Sequence, residues 1–121
     1  MLGFEEAMMR YLLVVACVFG ISIGQILFKK ISLLIHAGNS ILSLRVLYFS
    51  AAAAVLYGGA TILWIWALRG VELSKAYLFM ALCFVLVPAM SWLFFNETIR
   101  LGYFLGTLLI VTGIIVAVRF G

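Results

Sequence analysis

Four long apolar runs constrain the fold of this chain more than any other feature of its sequence. The runs cover approximately residues 11–35, 44–68, 74–95 and 101–118. Only 10% of the 121 residues are charged, whereas a soluble domain carries roughly a quarter. A helix that crosses a bilayer needs about 20 mostly apolar residues, and each run supplies nearly that number or more. The sequence therefore predicts an all-α membrane protein, a bundle of four transmembrane helices.

The connections between the runs are short, and the longest covers residues 35–43. None is long enough to form an extramembrane domain, so residues 1–121 are expected to be a single domain. The first run ends in Lys29 and Lys30 without a small-residue cleavage site. It is therefore interpreted as a retained span rather than a signal peptide.

The basic residues lie at the ends of the apolar runs. Nucleic-acid-binding proteins instead cluster Lys and Arg on one polar face, so the net charge of +4 does not indicate nucleic acid as a partner.

The distribution of basic residues does not fix the orientation of the chain in the membrane. Four spans return the chain to the side on which it began. The basic residues then divide equally between the two membrane faces, with Arg10, Arg69, Lys75 and Arg119 on the terminal face and Lys29, Lys30, Arg45 and Arg100 on the opposite face. This balance gives no strong orientation signal.

The first run carries three polar residues within the apolar sequence, namely Ser22, Gln25 and Lys29. Their spacing of three and four places them on one helical face. A polar group in lipid is unfavourable without a partner, so such a stripe is a candidate substrate-binding surface. The alternative is contact between helices, because Gly20 and Gly24 would allow another helix to approach closely. The sequence leaves both interpretations open.

The second and third runs add three candidate binding residues, Trp64, Lys75 and Tyr77. The two aromatic residues could form the wall of a binding site, or they could pack and belong to the interfacial belt. Lys75 could bind an anion or anchor the helix at the membrane face. Pro88 removes a backbone donor, which predicts a kink in the third span.

The fourth run is almost purely apolar and contains Gly106 and Gly113, two helical turns apart. A glycine face of this kind is typical of helices that associate within the membrane. We expect this face to form a dimer interface.

No catalytic, metal-binding or cofactor-binding constellation is found in the sequence. The chain has no aspartate, and its carboxylates all fall at or beyond the ends of the spans, at Glu5, Glu6, Glu72 and Glu97. A proton relay near the bilayer midplane is therefore missing. Cys17 and Cys83 are interpreted as buried small side chains rather than as metal ligands or a disulfide. The chain is predicted not to be an enzyme.

Three short motifs occur in order along the chain. They are Gly24-Gln25-Ile26-Leu27-Phe28-Lys29-Lys30; Leu63-Trp64-Ile65-Trp66-Ala67-Leu68 followed by Leu73-Ser74-Lys75-Ala76-Tyr77; and Phe94-Phe95-Asn96-Glu97 followed by Gly106 and Gly113. Together they resemble the drug/metabolite transporter superfamily in its four-helix form, over nearly the whole chain.

Two small families within that superfamily compete as the better match. The small multidrug resistance exporters carry a glutamate three residues before the glycine that matches Gly24, and this chain has Ile21 there. The resemblance is closer to the small EamA-type flippase subunits that move aminoarabinose-phosphoundecaprenol. The matching residues are Gly24, Gln25, Lys29, Trp64, Ala76, Tyr77 and Glu97. Glu72 and Lys75 depart from the pattern of that family, where a proline and an apolar residue are common.

The resemblance implies a translocase of a polyprenyl-phosphate-linked sugar in the bacterial inner membrane. We expect it to act as a homodimer, or as a heterodimer with a similar four-helix subunit. The expected substrate-binding residues are Ser22, Gln25, Lys29, Lys30, Trp64, Lys75, Tyr77 and Glu97. Two alternatives stay open, a cation exporter of the multidrug type and a non-transporting partner in a membrane glycosylation complex.

Overall fold

The structure, a computed structural model, describes residues 2–121 and the side chains of residues 3–121. It contains five helices and, among these residues, no strand: α1 (Leu2–His36), α2 (Leu44–Leu68), α3 (Leu73–Met80), α4 (Cys83–Phe95) and α5 (Leu101–Phe120). α3 and α4 form one apolar segment, so four segments are long and apolar enough to cross a membrane. This confirms the prediction of an all-α membrane protein with four transmembrane helices.

α1 is longer than the membrane requires. Its 35 residues extend about 52 Å at the usual helical rise, against a hydrocarbon core about 30 Å thick. The predicted first span, residues 11–35, lies within α1, and the helix begins two turns earlier. The first turns of α1 carry Glu5, Glu6 and Arg10, which precede that predicted span.

The end of α1 is fixed by a Schellman motif. Gly38 adopts a positive φ of 101°, its N–H donates to the carbonyl of Ile35 at 3.0 Å, and the N–H of Asn39 donates to that of Leu34 at 3.1 Å. Glycine reaches this left-handed conformation without a steric penalty. The chain then turns into α2, where the side chain of Ser43 accepts a hydrogen bond from the N–H of Val46.

The packed core lies mainly between α1 and α2. α2 buries four small residues spaced seven apart, at Val46, Ala53, Ala60 and Ala67. α1 contributes the fully buried Val14, Cys17 and Val18. Small side chains allow the two backbones to approach closely, which is how membrane helices gain packing energy without a hydrophobic driving force.

The third apolar segment is interrupted at Ala81 and Leu82. There the hydrogen bonds change to a tighter i→i+3 pattern, for example from the N–H of Leu82 to Phe79 and from that of Val85 to Leu82. Pro88, where the sequence predicts the kink, lies inside α4. A proline disturbs the turn that precedes it because its ring crowds the carbonyl four residues back. That carbonyl belongs to Phe84, and the interruption at Ala81 and Leu82 precedes it by less than one helical turn.

α5 is only loosely packed within the single chain. It contacts α3, and none of its residues is buried. A cavity of about 700 Å³ lies between its N-terminal end and α4, bounded in part by Pro88, Ser91 and Tyr103. A Cβ placed on Gly106 or Gly113 would meet no atom within 4 Å. The dimer interface expected at these glycines stays a prediction.

Candidate functional site

Gln25 of α1 is paired with a tyrosine of α2. Its Nε2 donates a hydrogen bond to the hydroxyl of Tyr57 at 2.6 Å. The Tyr57 ring stacks on Phe28, with ring centroids 5.1 Å apart, and passes so close to Gly24 that a Cβ there would collide with it. The glycine therefore makes room for the ring, and the ring places its hydroxyl beside Gln25.

Tyr57 was not expected among the binding residues. Tyr57 lies seven residues before Trp64, so the two share one face of α2. This spacing is the feature of the sequence that could have identified Tyr57 as a further binding residue. Without the structure, nothing indicated that this face turns towards Gln25.

Two predicted aromatic residues, Trp64 and Tyr77, lie beside Tyr57 and border a groove between α1, α2 and α3. The rings of Trp64 and Tyr77 meet edge to face, with centroids 6.3 Å apart. They line a small cavity of about 200 Å³ together with Ile21, Tyr57, Ala60, Thr61 and Met80. The side of this groove is open, because Tyr77 remains 64% exposed.

One turn beyond Gln25, Lys29 forms an ion pair with Glu97. Its Nζ lies 3.4 Å from Oε1 of Glu97, and both side chains are 45% exposed. Asn96 ends α4 in the left-handed conformation, at φ 53°, and Glu97 follows in the connection to α5. Glu97 also borders the cavity between α4 and α5. Across residues 3–121 this is the one ion pair within 4 Å, and it joins α1 to the α4–α5 connection.

The structure places Ser22 away from this groove. Its side chain is fully buried, and its hydroxyl donates to the carbonyl of Val18 at 2.8 Å and lies 3.4 Å from Sγ of Cys83. Three residues correspond to a rotation of about 60° around a helix, which turns Ser22 towards α4 while Gln25 faces Tyr57. Ser22 thus contacts a neighbouring helix rather than the cavity.

The other two predicted lysines do not join the Lys29–Glu97 pair. Lys30 is exposed on α1. Lys75 lies at the opposite end of the bundle, where it lines a cavity of about 190 Å³ with Tyr11, Phe79, Ala117 and Val118. An anion bound by Lys29 would therefore not reach Lys75 in the same position.

The cysteines and carboxylates form no metal site in the described part of the chain. Cys17 and Cys83 are both free thiols. The Cys17 thiol donates to the carbonyl of Ala60 at 3.3 Å, so it forms part of the contact between α1 and α2.

The family model and the curated proteins that match this chain all describe transporters or flippase subunits. Residues 7–119 match the EamA-like transporter family. Three proteins named probable 4-amino-4-deoxy-L-arabinose-phosphoundecaprenol flippase subunit ArnE are similar to the chain. The one from Enterobacter sp. (strain 638) is 37% identical over 59% of this chain and 66% of its own. That of Sodalis glossinidius is 42% identical over 53% of this chain and 58% of its own.

The third relative, from Hamiltonella defensa, is 27% identical over 89% of this chain and 95% of its own length. The matched segments span less than two thirds of the first two relatives. No solved structure matches. The family and these names confirm the resemblance to the drug/metabolite transporter superfamily and to aminoarabinose-phosphoundecaprenol flippase subunits. None of the names describes an enzyme.

Proposed function

This chain belongs to the EamA-like transporter family, and from that premise we propose that it translocates a polyprenyl-phosphate-linked sugar across the bacterial inner membrane. The family and the four apolar segments make it a multi-pass membrane protein of the transporter class. The observation that carries the proposal is the line of polar contacts along α1. It runs from the Gln25–Tyr57 hydrogen bond to the Lys29–Glu97 ion pair.

The chemistry of such a substrate fits a groove that is open on one side. The lipid has a phosphate, a polar sugar and a long apolar tail, so the head must be shielded from lipid while the tail remains in it. Gln25 and Tyr57 offer hydrogen bonds to a sugar, and Trp64 and Tyr77 form an aromatic wall beside them. The exposed side of Tyr77 leaves a path for the tail.

The Lys29–Glu97 pair provides a binding group for the phosphate. An exposed ion pair contributes about 1 kcal/mol or less, so a phosphate can replace the Glu97 carboxylate on the Lys29 ammonium. The lysine would then hold the phosphate by a charge-assisted hydrogen bond. Release of Glu97 would also free the α4–α5 connection from α1, which couples substrate binding to movement of α5.

The proposed path needs a second subunit. The cavity at Trp64 and Tyr77 measures about 200 Å³, below the range of about 300–1,000 Å³ that is usual for small-molecule sites. The three relatives are named as subunits of a flippase. We infer that a second four-helix chain, identical or similar, completes the groove, with Gly106 and Gly113 of α5 at the contact.

A non-transporting partner role is the second candidate, because the word subunit in the relatives' names favours it. In that case the chain would position another protein that carries the substrate. A cation exporter has less support. Ile21, at the position of the exporters' glutamate, lines the small cavity as an apolar side chain.

The two partners of the ion pair allow a sharp test of phosphate binding. We expect Lys29→Ala to weaken binding of a short-chain polyprenyl-phosphate sugar about fivefold, since one charged contact of roughly 1 kcal/mol is lost. Glu97→Gln removes the competing carboxylate and should strengthen binding by a similar factor. The measurement is equilibrium binding to the purified protein in nanodiscs, with Arg45→Ala as the control for a basic residue on the same membrane face.

Opposite signs for the two variants are the essential result. A purely structural ion pair would make both variants weaker to a similar extent, because either change would loosen the same contact. That outcome would exclude Lys29 as the phosphate-binding group.

A further inference from the structure

A second charged cavity lies at the terminal membrane face, far from Lys29. It has a volume of about 470 Å³ and is formed by the first turns of α1 and the end of α2. Its charged lining residues are Glu5, Glu6, Arg10 and Arg69, and the remaining ones are Met9, Leu13 and Trp66. Its volume lies within the range of about 300–1,000 Å³ that is usual for small-molecule sites. We name it the terminal-face cavity.

Both arginines are held in place by contacts other than an ion pair. The Arg69 guanidinium lies over the Trp66 ring, 5.7 Å from the centroid, a favourable cation–π geometry. The Arg10 side chain lies against the backbone at Gly70, where even a Cβ would collide with it. The guanidinium groups are therefore positioned before any ligand arrives.

The oppositely charged residues around this cavity form no ion pair with one another. The described residues contain no ion pair within 4 Å other than Lys29–Glu97, so neither Glu5 nor Glu6 contacts Arg10 or Arg69 at that distance. Two carboxylates and two guanidinium groups thus border one space while remaining apart. A ligand that carries a positive and a negative group can contact both sets, whereas a simple anion or cation meets repulsion from one of them.

We propose that the terminal-face cavity binds a head group that carries both a phosphate and a primary amine. Arg10 and Arg69 bind the phosphate, for which the planar guanidinium is well suited. Glu5 and Glu6 bind the ammonium group. Such a head group could belong to a polyprenyl-phosphate amino sugar or to a bilayer lipid of the phosphatidylethanolamine type.

The position of this cavity gives it a role in the proposed transport. Lys29 lies towards the opposite end of α1, so the protein would contact the head group at one membrane face through Lys29 and at the other through the terminal-face cavity. At the terminal-face cavity, Glu5 and Glu6 would distinguish an amino sugar from a neutral one. This role rests on the proposed function, whereas the binding chemistry of the cavity does not.

The test compares two short-chain polyprenyl-phosphate sugars that differ only in an amino or a hydroxyl group on the sugar. Binding is measured in nanodiscs in the Lys29→Gln background, which weakens the site at the other face. We expect the amino sugar to bind about fivefold more tightly, as one exposed charge pair allows. The double change Glu5→Gln/Glu6→Gln should abolish this preference, and Arg69→Gln should weaken binding of both lipids. Arg45→Gln is the control and should leave both unchanged.

A separate arm identifies the source of the head group. Dioleoyl phosphatidylethanolamine and dioleoyl phosphatidylglycerol are tested as competitors in the same nanodiscs. Competition by phosphatidylethanolamine alone, lost in the Glu5/Glu6 double variant, would support the binding chemistry and assign it to a bilayer lipid. An amino-sugar preference that survives in the double variant would overturn the proposal. Flipping measured separately in the wild-type protein shows whether the transport function fails independently.

Discussion

At the scale of single residues, three polar side chains of α1 each find a different kind of bonding partner within the apolar bundle. An unpaired polar group in lipid costs several kcal/mol. Ser22 bonds to its own helix, Gln25 to Tyr57 and Lys29 to Glu97. The sequence predicted that these residues lie near one face, but not which partner each one meets. The partner of each residue depends on how the neighbouring helices are rotated, and the spacing of residues along α1 does not determine that rotation.

The Gln25–Tyr57 hydrogen bond should be measurable as a coupling energy. Gln25→Leu and Tyr57→Phe each remove one partner and leave the other unsatisfied, so each should lower the free energy of unfolding by about 1–3 kcal/mol. The double variant leaves no orphaned group and should be little worse than either single variant. Unfolding in mixed detergent micelles measures all three. Additive effects, within about 0.5 kcal/mol, would show that the two groups do not interact.

At the scale of elements, the contact between α1 and α2 is the part of the fold that small residues define. The sequence predicted that Gly20 and Gly24 would allow another helix to approach α1 closely. Yet Gly58 and Gly59 have no neighbour within 4 Å of a placed Cβ, whereas Gly24 is filled by the Tyr57 ring. Composition therefore indicated the kind of interface, and helix rotation decided which glycines form it.

The third apolar segment also shows that sequence spacing does not place every irregularity. The sequence predicted a kink at Pro88, but α4 continues through this residue and the interruption lies at Ala81 and Leu82. A proline removes one hydrogen bond at a known position, while the place where the backbone departs from the α-helix also depends on how the neighbouring turns are packed.

The glycines of this interface provide a matched pair of substitutions. Gly24→Ala places a methyl group against the Tyr57 ring and should lower the free energy of unfolding by about 1–3 kcal/mol, as overpacking usually does. Gly58→Ala adds the same methyl group where space is free and should be neutral or stabilising, because alanine favours the helix. Unfolding in mixed micelles compares them. Equal effects would contradict the close approach of Tyr57 to Gly24.

At the scale of the whole molecule, one chain leaves its groove open and its last helix almost unpacked. The number of spans and the transporter family were predictable because length, hydropathy and motif order determine them. The terminal-face cavity was not predictable, because it combines residues from distant parts of the chain, the start of α1 and the end of α2.

The dimer expected at α5 can be tested by adding bulk to its glycine face. Gly106→Ile and Gly113→Ile should each reduce self-association, or association with a similar subunit, by about tenfold if close helix approach contributes roughly 1.4 kcal/mol. Leu108→Phe adds bulk about 200° around the helix from Gly106 and serves as the control. Energy transfer between labelled chains in liposomes measures association. Equal behaviour of all three variants would place the interface elsewhere.

Translocation of the lipid-linked sugar tests the proposed function most directly. The purified chain is reconstituted in liposomes, alone and with a co-expressed similar subunit where one is found, and flipping of a short-chain polyprenyl-phosphate sugar is followed. We expect flipping in at least one of these preparations, strongly reduced by Lys29→Ala and retained in Arg45→Ala. Absence of flipping from both preparations in intact liposomes, or flipping that Lys29→Ala leaves unchanged, would contradict it.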